Sequence, residues 1–140
     1  MSDTTTTKRG FCGDIEEATI ANNDFRRVLY TGEHLQLVLM SLAPGEEIGE
    51  ETHEDRDQFF RFEEGEGVVV IDGKENAVED NFAVIVPAGA CHNVKNTGEE
   101  PLQFYTLYGP PEHRDKAVHK TKEQAEAEHD SDEWDGKTTE

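Results

Sequence analysis

Basic residues are scarce in this chain. Thirteen Lys and Arg stand against 32 Asp and Glu, a formal net charge of -19 over 140 residues. A surface this acidic repels phosphate backbones and anionic headgroups, so neither nucleic acid nor membrane is an expected partner. Cysteine is nearly absent too: Cys12 and Cys91 cannot build a disulfide framework, and a reducing, cytoplasmic setting is expected. No apolar run approaches the roughly 20 residues that a membrane helix needs. The N-terminal stretch is polar and Thr-rich, without the apolar core of a signal peptide. The spacing of strands and helices that a parallel α/β sheet requires is also missing.

Acid is spread along the chain, from Glu46 to Glu66 and again from Glu112 to Glu140. Acid this distributed, with few lysines, resembles proteins of salt-loving organisms, where ionic strength screens the repulsion. A halophilic protein is therefore expected.

Short β-type runs fill the middle of the chain. Strands are expected over Phe25 to Thr31, Leu35 to Leu42, Ile48 to His53, Gln58 to Glu63, Val68 to Ile71, Asn76 to Val78, Phe82 to Val86, His92 to Lys95 and Leu102 to Tyr108. Turn signals separate them: Pro44-Gly45, Asp72-Gly73, Pro87-Ala88-Gly89 and Thr97-Gly98. Many short strands at this spacing predict an all-β sandwich or barrel. After Gly109-Pro110-Pro111 the character changes. Thr121 and Gln124 have capping-box spacing, which predicts one short helix. The organisation expected is an extension over 1–24, partly disordered, a barrel over 25–110, and a segment over 111–140 holding the helix and a disordered acidic end.

The chemistry is concentrated in a few spaced polar residues. Glu51 and His53 are two apart, so they share one strand face. Gln58 opens the next strand, and His92 follows the Pro-Ala-Gly turn. Two imidazoles, a carboxylate and a side-chain amide suit one divalent ion: Zn, Fe, Mn or Ni.

These residues carry a family resemblance. Gly45, Glu51, His53, Gln58 and Gly65 resemble the first cupin motif, G(X)5HXH(X)3-4E(X)6G. Asn81, Pro87, Gly89, His92 and Asn96 resemble the second, G(X)5PXG(X)2H(X)3N. Glu51 stands at a histidine position, Gln58 at the glutamate position and Asn81 at a glycine position. The carboxylate count is kept, and one imidazole becomes an amide. The ligand set is similar to that of type I phosphomannose isomerases, although their Gln and Glu occupy the opposite motif positions.

The resemblance implies a double-stranded β-helix (jelly-roll barrel), a metal held by Glu51, His53, Gln58 and His92, and a homodimer. It also implies a metal-dependent enzyme acting on a small oxygenated metabolite, isomerase-like toward a sugar or sugar phosphate. A cupin dioxygenase and a noncatalytic binding module are the alternatives. Glu51 and Tyr105 are the candidates for proton transfer. Arg56, Arg61 and Phe60 are the candidates for holding substrate, and Arg26 and Arg27 offer the same anion chemistry. Cys91 should point away from His92, and Asn96 should hold a turn. His34, His113, His119 and His129 are expected to be ordinary surface histidines.

Overall fold

The computed structural model describes residues 7–140. Two antiparallel sheets pack face to face. One has six strands in the order β10-β1-β2-β9-β4-β7, and the other has four in the order β3-β8-β5-β6. The strands are β1 (Arg26–Thr31), β2 (Gln36–Leu42), β3 (Glu51–Thr52), β4 (Asp57–Glu64), β5 (Gly67–Ile71), β6 (Lys74–Val78), β7 (Ala83–Val86), β8 (Cys91–Asn96), β9 (Leu102–Gly109) and β10 (Val118–His119). The nine expected strands are all present within a few residues, and the third shrinks to two.

Alternation builds the core. Phe60 and Phe62 of β4, Phe104 of β9, Met40 and Leu42 of β2, and Val69 and Val94 of the opposite sheet are sealed from solvent. The Phe60, Phe62 and Phe104 rings lie within 6.2 Å of one another, a favourable separation for aromatic pairs.

The turn chemistry works as the residues suggest. Asp72 and Gly73 both have positive φ, and Ile71 pairs directly with Lys74 across them, the geometry of a two-residue hairpin. Asn81, which replaces a motif glycine, has φ of 72°; asparagine is one of the few residues that tolerate this region. Gly65 cannot be replaced so easily. At φ of 108° an added Cβ would lie 2.7 Å from the Pro101 carbonyl. Asn96 ties a turn together: Nδ2 donates to the Leu42 and Glu100 carbonyls at 2.9 Å, and Oδ1 accepts from the Gly98 amide.

Both chain ends carry structure beyond the expected elements. Of the partly disordered extension, residues 1–6 lie outside the described residues. Beyond them the chain forms a helix, α1 (Ile15–Ala21), capped by Asp14, which accepts from the Glu17 amide at 3.0 Å. Gln103 of β9 pins its end by donating to the Ile20 and Asn22 carbonyls.

At the other end α2 (Lys122–Ala127) forms as the capping residues predict, with Thr121 Oγ1 accepting from the Gln124 amide at 3.1 Å. The acidic end beyond it is ordered against the barrel. A 3-10 turn over His129–Ser131 leads to buried Asp132, the Thr139 amide donates to the Thr31 carbonyl, and Tyr30 donates to Glu140. These contacts join residues about a hundred positions apart, which no local pattern encodes.

Candidate metal centre

β3 and β8 are neighbours, and their register sets Glu51 directly opposite His92. His53, two residues after Glu51, faces the same way. One ligand atom from each of the three lies within 4.8 Å of the others, close enough for one ion to bridge them. His53 Nε2 is 3.6 Å from Glu51 Oε1. His92 is buried, and its Nδ1 lies 3.4 Å from the Ala90 carbonyl, which leaves Nε2 as the free ring nitrogen. Phe60 presents its ring edge to His92 at 6.1 Å. It is a sealed core residue that supports the histidine, and it does not line the cavity.

Gln58 sits on β4 opposite Tyr108 of β9. Its Nε2 donates to Thr106 Oγ1 at 2.9 Å, and Thr106 in turn donates to the Phe59 carbonyl. That arrangement fixes the amide orientation. It leaves Gln58 Oε1 buried without a partner, and His53 Nε2 is buried without one too. Unsatisfied buried polar atoms are costly. Glu51, His53 and His92 offer a carboxylate and two imidazoles close enough for one ion, and the His53 Nε2 left without a hydrogen bond is the kind of group a cation would satisfy, so the donor set fits a divalent ion.

Charge around the cluster is already arranged. Burial raises the pKa of Glu51, but the neighbouring His53 imidazole at 3.6 Å and the positive Arg26 outweigh it, and the net shift is downward. Burial lowers His53, but the nearby Glu51 and Glu112 carboxylates win, so it rises. Burial lowers His92. Glu51 is therefore an anion at neutral pH.

Several residues of this region were not anticipated. Glu112 Oε1 stands 3.6 Å from His53 Nδ1 and is held by Arg56 Nη1 at 2.7 Å. Arg56 thus acts on the site through Glu112. Tyr108, a sealed residue, turns its ring edge to His53 at 5.9 Å. Its hydroxyl lies 3.3 Å from His113 Nε2, and His113 Nδ1 lies 2.5 Å from Asp132 Oδ2. The Asp132 pKa is depressed, chiefly by the His113 hydrogen bond acting against burial. An ionised Asp132 accepts from Nδ1–H, so Nε2 accepts from Tyr108. His113 and His119 are both buried, contrary to their expected surface positions. Each has lost its solvent to the folded-back C-terminal segment.

Tyr105 is not at the site. Inward positions on β9 are Phe104, Thr106 and Tyr108, so Tyr105 faces outward, half-buried against Phe59. Arg61 faces outward as well, 3.1 Å from Asn81 Oδ1 and 3.6 Å from Glu63. Arg27 is an exposed partner of Asp24 at 3.0 Å. Cys91 lies opposite Thr52, on the face away from His92, as alternation requires.

A cavity of about 520 Å³ opens beside the cluster, between the barrel and the C-terminal segment. Glu51 and Arg26 form its barrel side, and Glu112, His113, Asp132 and Lys122 its other wall. Glu51 thus links the cluster to a space of metabolite size.

Comparison with known proteins agrees with this geometry. The family model described as "Cupin domain" matches residues 38–108. The uncharacterized protein YrkC of Bacillus subtilis is 47% identical over 127 residues, which cover 86% of this chain and 68% of that one. The crystal structure of BH2720 from Bacillus halodurans superposes with a TM-score of 0.84 at 46% identity, covering 85% of this chain and 95% of that one. More distantly, the mannose-1-phosphate guanylyltransferase of Escherichia coli is 30% identical over 73 residues, 52% of this chain and 15% of that enzyme. No helix among the described residues is long and apolar enough to cross a membrane. With both motifs on adjoining strands and the family model spanning the barrel, the chain belongs to the cupin superfamily.

Proposed function

We propose that this protein is a metal-dependent cupin enzyme acting on a small oxygenated metabolite, with isomerase-type proton transfer as the leading chemistry. The observation that carries the reading is the convergence of Glu51, His53 and His92, with His53 Nε2 buried and without a hydrogen bond. A divalent ion held there would polarise a carbonyl and neutralise a developing enolate. The protein's own groups do the rest. Glu51 borders the cavity and reaches both the cluster and a bound metabolite. Tyr108, pinned by His113, keeps its proton because burial pushes its pKa up. The C-terminal segment walls one side of the cavity, and Phe60 backs His92 from the core.

The cluster of two His and one carboxylate also suits Fe(II) with open positions, so a cupin dioxygenase is the second reading. Elemental analysis of protein purified from its native host separates the two: zinc favours the isomerase, iron the oxygenase. His92→Ala should lose the ion in either case. Wild-type protein with no stoichiometric metal, or a His92→Ala variant with unchanged content, refutes the metal enzyme.

A further inference from the structure

Arg26 is the first residue of β1 and points inward, in register with buried Met40 and His119. It is 6% exposed and lies on the wall of the cavity that Glu51 borders. Its guanidinium has one hydrogen-bonded contact among the described residues, Nη1 to His119 Nδ1 at 3.4 Å. Its Nε–H is buried without an acceptor, and no carboxylate among the described residues stands within ion-pair distance. Guanidinium carries five donors and cannot lose its charge in a protein. In a chain of net charge -19, acid is abundant, yet this buried cation is left without a direct anionic partner.

The nearby acids lie beyond direct reach. Glu112 is held by Arg56 at 2.7 Å, and Asp132 Oδ2 accepts from the neutral His113 at 2.5 Å, which leaves the Asp132 charge uncompensated and its Oδ1 without a hydrogen bond. Glu51 belongs to the cluster. With Glu51, Glu112 and Asp132 ionised against Arg26, Arg56 and a bound divalent ion, the deep end of the cavity would carry about one net positive charge. The rim, with Glu126, Asp130 and Glu133, stays acidic. That field suits a ligand with one negative charge, presented inward.

We propose that Arg26 is the anion-binding residue of this cavity, and that the metabolite bound beside the metal centre is a small hydroxy- or oxo-carboxylate whose carboxylate it holds. The inference rests on the metal reading above and narrows its substrate class. A monoanion neutralises the deep end, whereas a phosphate dianion overshoots it.

Lactate, lactamide and inorganic phosphate serve as probes in calorimetric titrations of the metal-loaded full chain. Wild type and Arg61→Gln, which loses an outward-facing cation, should bind lactate alike. Arg26→Gln should keep its metal and bind lactate at least about tenfold more weakly, the loss expected for charge-assisted hydrogen bonds. Lactamide should bind the wild type as weakly as lactate binds that variant, and phosphate should bind more weakly than lactate. Arg26→Lys keeps the charge and loses the planar fork. It should lose affinity at least a few-fold, and it serves alone if Arg26→Gln does not fold. Lactate binding that is unchanged in the Arg26 variants, or matched by lactamide or phosphate, overturns the proposal. If wild type takes up no metal, the metal reading fails on its own. The same titrations of metal-free protein then decide: an Arg26-dependent preference for lactate supports the assignment, and its absence overturns it.

Discussion

Lowering the pH should weaken the grip of the C-terminal segment, and His113 sets the size of the effect. This residue is 6% exposed, and burial pulls its pKa from 6.5 down to about 4, against the opposing pull of Asp132. A histidine depressed on folding is held neutral, so below pH 6.5 the unfolded chain binds the proton that the folded one refuses. Stability therefore rises with pH and is lost as pH falls from 6.5 toward 4. Proton linkage between these two values gives a loss of ~1.8 kcal/mol between pH 7 and pH 5, approaching ~3.4 kcal/mol below pH 4. The depressed Asp132 contributes its own loss only below its ordinary value of 3.8, outside that window. His113→Asn isolates the effect, since its Nδ2 keeps a donor toward Asp132 and does not titrate. His53 and His92 titrate equally in both proteins and cancel. Urea unfolding of the metal-free proteins, at fixed high salt, should show wild type losing ~1.8 kcal/mol more than the variant from pH 7 to 5. Parallel pH profiles refute the reasoning. A wild type that gains on the variant at pH 5 would mean that Asp132 wins over burial and His113 is charged.

Two further outcomes are expected. Gln58→Leu removes the unpartnered oxygen together with the bond to Thr106 and should weaken metal binding roughly tenfold in chelator competition, while Gln58→Glu, which adds a charge, should strengthen it; metal affinity unchanged in both removes Gln58 from the site. Dilution from about 1 M to 0.01 M salt stretches the screening length from about 3 Å to 30 Å, so a protein of net charge -19 should show a lower thermal midpoint in dilute buffer, and a midpoint independent of salt rejects the halophilic expectation.

The barrel was legible because its signals are local. Asp72-Gly73 demands a hairpin, and Gly65, Pro87 and Gly89 sit where the chain must turn. The shared face of Glu51 and His53 was legible because i and i+2 spacing fixes it once the strand is known. Tyr105 shows where that logic stops. On β9 the outward positions Tyr105 and Leu107 are as apolar as the inward Phe104 and Tyr108, so alternation does not say which face is inside. Arg61 is different: it stands three residues after Gln58 on one strand, so alternation by itself sends it to the face opposite Gln58, Phe60 and Phe62. Glu112, His113 and Asp132 were out of reach. Their roles come from a segment folding back over the barrel mouth, and polar composition gave that segment no pattern to read.

The folded-back segment also changes what the acidity means. Four carboxylates that withdraw from solvent meet a basic side chain: Glu51 with His53 at 3.6 Å, Glu112 with Arg56 at 2.7 Å, Glu63 with Arg61 at 3.6 Å and Asp132 with His113 at 2.5 Å. A buried carboxylate without such a partner would be expensive. Most of the excess negative charge is carried by exposed groups, where salt screens it. Arg26 differs from the other cation of this region. Arg56 grips Glu112 at 2.7 Å, whereas Arg26 has no carboxylate within ion-pair distance among the described residues. Its Nε–H is unpartnered on the wall of a metabolite-sized space, the position from which it would hold an anion that enters the cavity.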